Sequence, residues 1–386
     1  MQRLKINLTI LALLLSVSFI TKAQNDARLL RFPDINKNLI AFVYAGDIWT
    51  VDANGGDAKR LTSHKGIELF PKISPDGQWI AFSAEYSGNR QIYVMPTIGG
   101  TPQQLTYYND AGEMPPRGGW DNVVLDWTPD SKNILVRMNR TPFGDRNGKY
   151  FLVSIDGGLE KPLQITNGGF AALSPDASKI AFTPVDREFR TWKRYKGGRA
   201  SDIWVYDLQN DLSEQITDFV GTDQIPVWYK NKIYFASDRD LTLNIFSYDI
   251  DTKETKKVTH YTEYDVMWPS GENGMIAYEN GGYIYKLNLE TGNAEKVTVN
   301  INFDNPNILP YYKNVSDFIE SASISPSGKR AIFGARGDIF SVPAENGFTE
   351  NLTNTQGVRE MYPNWSPNGK YISYVSDKTG EYEIYL

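Results

Sequence analysis

The chain has 386 residues, 41% hydrophobic and 22% charged, with a formal charge of −6. That is the composition of an ordinary globular protein of two or three domains at ~150 residues each, and it excludes disordered, collagen-like and charge-driven nucleic-acid-binding chains. It holds no cysteine and only two histidines, His64 and His260, which excludes disulfides, thiolate metal sites and a cysteine nucleophile and leaves little for serine–histidine catalysis.

Residues 1–23 place Arg3 and Lys5 before an apolar run from Leu8 to Ile20, followed by Thr21-Lys22-Ala23. That order predicts a secretory signal peptide, and hence a periplasmic or secreted protein. The apolar run is shorter than the ~20 residues that span a bilayer. No later segment is long and apolar enough to do so, and no membrane span is expected.

From residue 27 onward three marks recur in fixed order. The first is a turn of the type Ser-Pro-Asp-Gly: Ser74-Pro75-Asp76-Gly77, Thr128-Pro129-Asp130, Ser174-Pro175-Asp176, Trp268-Pro269-Ser270-Gly271, Ser325-Pro326-Ser327-Gly328 and Ser366-Pro367-Asn368-Gly369, with Phe32-Pro33-Asp34 as a degenerate first copy. Proline presets φ, and Asp and Gly suit the later turn positions. The second is a polar residue before an apolar–aromatic step, as in Asp47-Ile48-Trp49, Gln91-Ile92-Tyr93 and Asn244-Ile245-Phe246. The third is an apolar residue followed by threonine, as in Leu61-Thr62, Leu105-Thr106 and Val258-Thr259. Short β-branched and aromatic runs lie between the marks. Four strands repeating every ~40–50 residues is the signature of a β-propeller blade, and helices should be scarce.

The rhythm breaks near residues 300–314. The expectation is an all-β chain: a six-bladed propeller of four-stranded blades over 27–300, a linker over 301–314, and the first blades of a second propeller over 315–386. A single seven- or eight-bladed propeller with one long loop is the alternative. The last unit stops after its third strand, which predicts either a fragment or a strand supplied from elsewhere.

Little in the chain resembles a catalytic centre. There is no Gly-x-Ser-x-Gly elbow, and both histidines read as exposed loop residues. Asp52-Ala53-Asn54-Gly55-Gly56-Asp57 opens like a calcium loop, but Ser63 stands where its bidentate glutamate belongs, so Asn54-Gly55 is a hairpin turn. No catalytic residue, metal site or cofactor is expected. Two insertions interrupt the blades, at residues 107–120 and 184–200. The second carries Arg187, Arg190, Lys193, Arg194, Lys196 and Arg199. A basic, aromatic loop on a rigid scaffold suits an anionic group such as a peptide carboxylate, and equally suits packing against a neighbouring domain or subunit. The acidic, exported chain argues against nucleic acid.

The repeats alone are similar to propellers of the Tol-system translocation protein and of many bacterial peptidases. Trp192-Lys193-Arg194-Tyr195-Lys196-Gly197-Gly198 followed by Asp202-Ile203-Trp204-Val205, together with Leu39-Ile40-Ala41-Phe42-Val43 and Asp47-Ile48-Trp49, resembles the N-terminal region of tricorn-type proteases over essentially all of 27–386. The resemblance implies a six-bladed propeller followed by a seven-bladed one, a PDZ-like domain and catalytic domains. The serine nucleophile and its histidine would then lie beyond Leu386. It also implies propellers that gate peptide entry and product exit, and a hexameric assembly. The family's pair of arginines for the substrate's terminal carboxylate has its nearest counterpart at Arg117, but Gly118 follows and the pair is not kept. The archaeal relatives are intracellular, whereas the leader here implies export.

The expected function is thus the non-catalytic propeller part of an exported tricorn-like serine protease, handling peptides or unfolded polypeptide. Arg117, Arg187, Arg190, Lys193 and Arg194 are the candidate substrate-binding residues. A stand-alone periplasmic propeller that binds protein or polysaccharide, and the propeller of a prolyl-oligopeptidase-like enzyme, are the alternatives.

Overall fold

The computed structural model describes residues 26–108, 122–139, 148–165, 167–185, 188, 193–302 and 311–386. Among them the chain is almost entirely strand and turn, with one 3-10 turn at Ser316–Phe318. The leader expected over 1–23 lies outside the described residues. No helix among the described residues is long and apolar enough to cross a membrane.

The chain divides into two compact units, Met1–Phe303 and Asp304–Leu386. In the first, six antiparallel sheets of four strands follow one another along the sequence. Sheet 1 comprises Arg31–Asn36, Leu39–Tyr44, Asp47–Asp52 and Lys59–Arg60. Sheets 2 to 6 begin with the inner strands Glu68–Ile73, Val123–Trp127, Ala171–Leu173, Asp223–Tyr229 and Met267–Ser270. Each inner strand neighbours the next, and that of sheet 6 neighbours that of sheet 1. The arrangement is a closed β-propeller, as the repeat predicts.

The second strand of each sheet shows why the fold buries so much aromatic and β-branched sequence. Ile40-Ala41-Phe42, Ile80-Ala81-Phe82 and Ile276-Ala277-Tyr278 are wholly buried. Each sheet is sandwiched between two neighbours, so both faces of its middle strands are apolar and simple alternation is lost. The alanine lets adjacent sheets approach while the flanking residues fill the gaps.

The ring closes on the outer turn of sheet 1. Val299–Asn300 runs parallel to Gly56–Asp57. Gly56 N–H donates to the Thr298 carbonyl at 2.9 Å, Ala58 N–H to Asn300 at 2.9 Å, and Ala27 N–H to Val299 at 2.8 Å. Chain from both ends of the ring is thereby fastened to one sheet, over a core that includes Leu30, Phe42, Trp49, Ile284 and Val299.

The serine turns are built by their own side chains. Ser174 Oγ donates to Asp176 Oδ1 at 2.6 Å and accepts from Lys179 N–H at 2.9 Å, and Asp176 accepts from Ser178 N–H at 3.1 Å. Thr128 and Asp130 repeat the pattern. Two expected copies are not turns at all. Phe32-Pro33 and Trp268-Pro269 lie inside inner strands, and the turns follow at Lys37-Asn38 and Asn273-Gly274. In those two repeats the turn lacks proline, and a different proline stands four to five residues upstream for another reason.

The second unit contains one four-stranded sheet, Ile319–Ile324, Arg330–Ala335, Asp338–Pro343 and Glu350–Asn351, followed by three strands, Glu360–Trp365, Ile372–Ser376 and Glu383–Tyr385. Ser323 Oγ donates to Asn364 Oδ1 at 2.9 Å between the two inner strands.

Candidate functional site

The upstream prolines mark a bulge. Phe32-Pro33, Phe70-Pro71, Ile225-Pro226 and Trp268-Pro269 each sit where the register of the inner strand shifts against its partner. The residue before proline takes φ of 50°, 53°, 53° and 53° respectively. Such backbone is sparsely populated by non-glycine residues and costs about 1–3 kcal/mol per position. Proline has no N–H to lose from the ladder, so the bulge breaks no bond there. At Phe32 the freed N–H is satisfied by Glu279 Oε1 at 2.7 Å.

The bulge aims the preceding side chain at the propeller axis. Phe70, Phe170 and Trp268 come from alternate sheets, yet all three pairs are in contact, with centroids 5.7, 5.5 and 6.1 Å apart. Phe32 lies 4.5 Å from Phe70 and 5.1 Å from Trp268. Rings from alternate sheets can all touch only at the centre, so the cluster fills the axis. The gap left between them is about 10 Å³, no more than one water could occupy.

One layer further along the inner strands lies a polar group. Asp34, Lys72, Asp126 and Ser270 occupy equivalent positions, three residues before the turn begins. Asp34 Oδ2 accepts the Ile73 N–H at 2.7 Å, and its Oδ1 accepts from Ser270 Oγ. Lys72 Nζ lies 3.9 Å from Asp34 and also bonds Ser270. Asp126 accepts the Leu173 N–H at 2.7 Å and the Trp127 N–H at 2.8 Å. Burial raises Asp34, lifts Asp126 to about 6 and lowers Lys72. Glu272, in the turn of sheet 6, is raised to about 8, by burial first and then by the charges of Asp126 and Asp34. The cluster sets one ammonium among three carboxylates.

Above this layer the axis opens into a pocket of about 340 Å³, walled by Lys72, Asp126, Trp127, Phe170, Tyr229 and Glu272 among others. It opens between the short turns that follow the inner strands, with Pro75, Pro129, Pro175 and Asn273 at its rim.

Of the residues singled out from sequence, two are described, Lys193 and Arg194, and they stand away from this pocket. Arg117, Arg187 and Arg190 lie outside the described residues. Lys193 Nζ pairs with Asp265 at 2.6 Å, and Arg194 Nε donates to the Leu241 carbonyl at 3.1 Å. Asp265 precedes an inner strand, so both contacts are at the opposite end of the inner strands from the pocket. A residue the sequence reading passes over, Glu188, is the buried anchor of the same insertion. Its Oε1 accepts the Phe170 N–H at 2.8 Å, and its Oε2 lies 3.4 Å from Arg137. The signal for the axial site was the apolar–Pro step repeated in sheets 1, 2, 5 and 6.

The family described as the tricorn protease N-terminal beta propeller domain matches residues 27–293. The chain is 27% identical over 348 residues to a tricorn protease homolog of Saccharolobus solfataricus, covering 88% of this chain and 31% of that protein. It is 31% identical over 185 residues to a putative tricorn-like protease N-terminal subunit of Sulfurisphaera tokodaii, covering 46% of this chain and 87% of that protein. The crystal structure of the tricorn protease superposes with a TM-score of 0.73 at 22% identity, covering 93% of this chain and 35% of that one. The chain thus spans about a third of the length of the first two full-length relatives it matches. It belongs to the family of tricorn protease N-terminal β-propeller domains.

Proposed function

We propose that this chain is the propeller region of a larger tricorn-type serine protease and carries no catalytic centre of its own. The observation that supports this reading is the family match over residues 27–293 in a chain about a third as long as its relatives. In this reading residues 27–300 are one complete propeller, 301–314 a linker and 315–386 the start of a second. The nucleophile and its base belong to other parts of the protein. His64 is an exposed loop residue whose Nδ1 accepts the Gly66 N–H at 2.9 Å.

The propeller controls which peptides or unfolded chains reach the catalytic and PDZ-like parts and how products leave, and it offers a surface for oligomeric, by resemblance hexameric, assembly. The axial rings give that control a physical form, because transit along the axis requires Phe70, Phe170 and Trp268 to separate. Arg117, Arg187, Arg190, Lys193 and Arg194 remain the proposed contacts for peptide carboxylates. The charged-then-apolar order of residues 1–23 supports export.

The test pairs two measurements. The chain alone, purified and offered fluorogenic peptides, should hydrolyse none of them. The protein that contains this region together with a catalytic part should hydrolyse them, and changing Arg187, Arg190, Lys193 and Arg194 together to Ala should alter the products or the oligomer size. Hydrolysis by the chain alone that a serine-directed inhibitor stops, or unchanged products and size in the quadruple variant, would overturn the corresponding half of the reading.

A further inference from the structure

The axial pocket is blind. Beneath it lie the polar layer of Asp34, Lys72 and Ser270 and then the ring cluster of Phe32, Phe70, Phe170 and Trp268, so a chain entering from the turn side stops there. We propose that this pocket binds an alkylammonium or guanidinium group, supplied by the N-terminus of a peptide or by one of its lysine or arginine side chains. The inference rests on the geometry of the first unit and does not require the proteolytic reading.

Two independent features of the wall select a cation. The first is a shortage of donors. Pro75, Pro129, Pro175, Pro226 and Pro269 all line the pocket, and a proline has no N–H to offer an anion. Two backbone N–H groups of the polar layer, those of Ile73 and Leu173, are already taken by Asp34 and Asp126. The Asp126 and Glu272 carboxylates of the same wall are acceptors.

The second is the charge balance. Lys72 is held between Asp34 and Ser270, and Lys230 at the rim is paired outward with Glu290. Asp126 and Glu272 line the same low-dielectric space, where the charge of Asp126 opposes ionisation of Glu272. A cation between them favours both carboxylates ionised, whereas an anion disfavours it. Aromatic walls at Trp127 and Tyr229 suit a cation further, since ring faces attract it.

The cation is organic rather than metallic. Among the described residues no group of three or more His, Asp or Glu side chains is arranged to hold a metal ion. At about 340 Å³ the pocket is at the lower end of the ~300–1,000 Å³ range of small-ligand sites. It admits a chain end or one side chain, not a folded segment.

Calorimetric titration of the intact chain with three probes tests this: Ala-Ala-Ala-amide with a free N-terminus, its N-acetyl form, and N-acetyl-Ala-Lys-Ala-amide. The expected result is binding of the first or the third probe at least tenfold tighter than the second. Preference for the first identifies the N-terminus as the source, and preference for the third the side chain. Glu272→Gln should weaken the preferred probe about threefold to tenfold, because the amide keeps the shape but cannot ionise beside the bound cation. Glu272 lies in the turn at the mouth, so this variant should fold even where Asp126→Asn does not. The proposal is overturned if the acetylated lysine-free probe binds as well as the others, if none binds, or if Glu272→Gln leaves the affinity unchanged. None of these outcomes bears on peptide hydrolysis, so the pocket and the proteolytic reading stand or fall separately.

Discussion

The hydroxyl of Thr106 accepts the backbone N–H of Ile92 at 3.0 Å and donates to Gln91 Oε1 at 2.7 Å. The same backbone-to-threonine bond recurs at a separation of 14 residues between Ile48 and Thr62, Ile203 and Thr217, Ile245 and Thr259, and Ile339 and Thr353, at 2.8 to 3.1 Å. Two of the three sequence marks are therefore halves of one bond. The threonine that follows the outer strand closes off the start of the third strand by accepting the N–H of its isoleucine.

Thr259→Val keeps the shape and deletes that bond. It leaves the buried Ile245 N–H unsatisfied, which costs about 1–3 kcal/mol. Thr259→Ser should retain most of the wild-type stability. Denaturant unfolding monitored by fluorescence measures the difference; equal midpoints for the Val and Ser variants would mean that the methyl group, not the hydroxyl, accounts for the threonine.

The serine turns and the propeller rhythm are legible in the sequence because their chemistry is local: Ser174, Asp176 and Lys179 complete their bonds within five residues. The partnership of Ile92 with Thr106 is not, because the bond spans a strand and a turn. The axial site is harder still. Asp34, Lys72, Asp126 and Ser270 share a position but not a residue type, and only closure of the ring brings them together. Attention to irregular insertions leads to Lys193 and Arg194, whereas the pocket is made by the regular parts of sheets 2 to 6. Where proline serves a bulge rather than a turn, as at Pro33 and Pro269, a reading keyed to proline alone shifts the register.

Stability should fall as pH rises from about 5 to 8. Burial raises Glu68 and Glu279 to about 7 each. A carboxyl whose folded pKa exceeds its unfolded value binds its proton more tightly when folded, so its favourable contribution is complete below ~4.5 and is lost as pH climbs through ~7. Glu68 accepts from Ile48 N–H at 2.8 Å and Tyr86 OH at 2.6 Å on its two separate oxygens, so Glu68→Gln keeps an acceptor for Ile48, turns an amide N–H toward the Tyr86 oxygen and removes the titration. That variant should flatten the slope by on the order of 1–3 kcal/mol across the window. Denaturant midpoints at pH 5 and pH 8 decide it; an unchanged slope would show that Glu68 ionises at an ordinary carboxylate pH.

Glu188 and Arg137 are buried with side-chain exposures of 2% and 4%. Removing the carboxylate with Glu188→Ala strips Phe170 N–H of its acceptor and takes a buried counter-charge from Arg137. The cost should be about 3–5 kcal/mol. Arg137→Met with Glu188→Met should be less damaging than Glu188→Ala alone, because no uncompensated charge remains. A double variant less stable than the single one would assign the effect to packing.

The ring cluster should be costly to open. Trp268→Ala or Phe170→Ala removes contacts with two or more other rings and should lower stability by about 3–5 kcal/mol. Uptake of a small apolar probe such as benzene, seen as a rise in midpoint on adding it, would report the cavity. A variant that neither loses stability nor gains benzene dependence would mean that the neighbouring rings collapse into the space, leaving the axis closed without that ring.

Closure of the ring can be isolated with two glycines. Gly55 has φ of +89°, and a Cβ there would come within 2.5 Å of the Thr298 carbonyl oxygen, the atom that accepts the Gly56 N–H at 2.9 Å. Gly157 has φ of +84°, and a Cβ there would meet nothing within 4 Å. Both sit in the outer turns of their sheets, and both pay about 1–2 kcal/mol for a left-handed alanine. Gly55→Ala must also push the closing strand away from sheet 1, where a carbonyl oxygen cannot yield as a flexible side chain would. Its loss should exceed that of Gly157→Ala by at least about 1 kcal/mol. Amide exchange should show the excess at Ala27, Gly56 and Ala58, whose N–H groups make the closing bonds. If the two variants are equally stable, the parallel pairing of Val299–Asn300 with Gly56–Asp57 contributes nothing to holding the propeller shut.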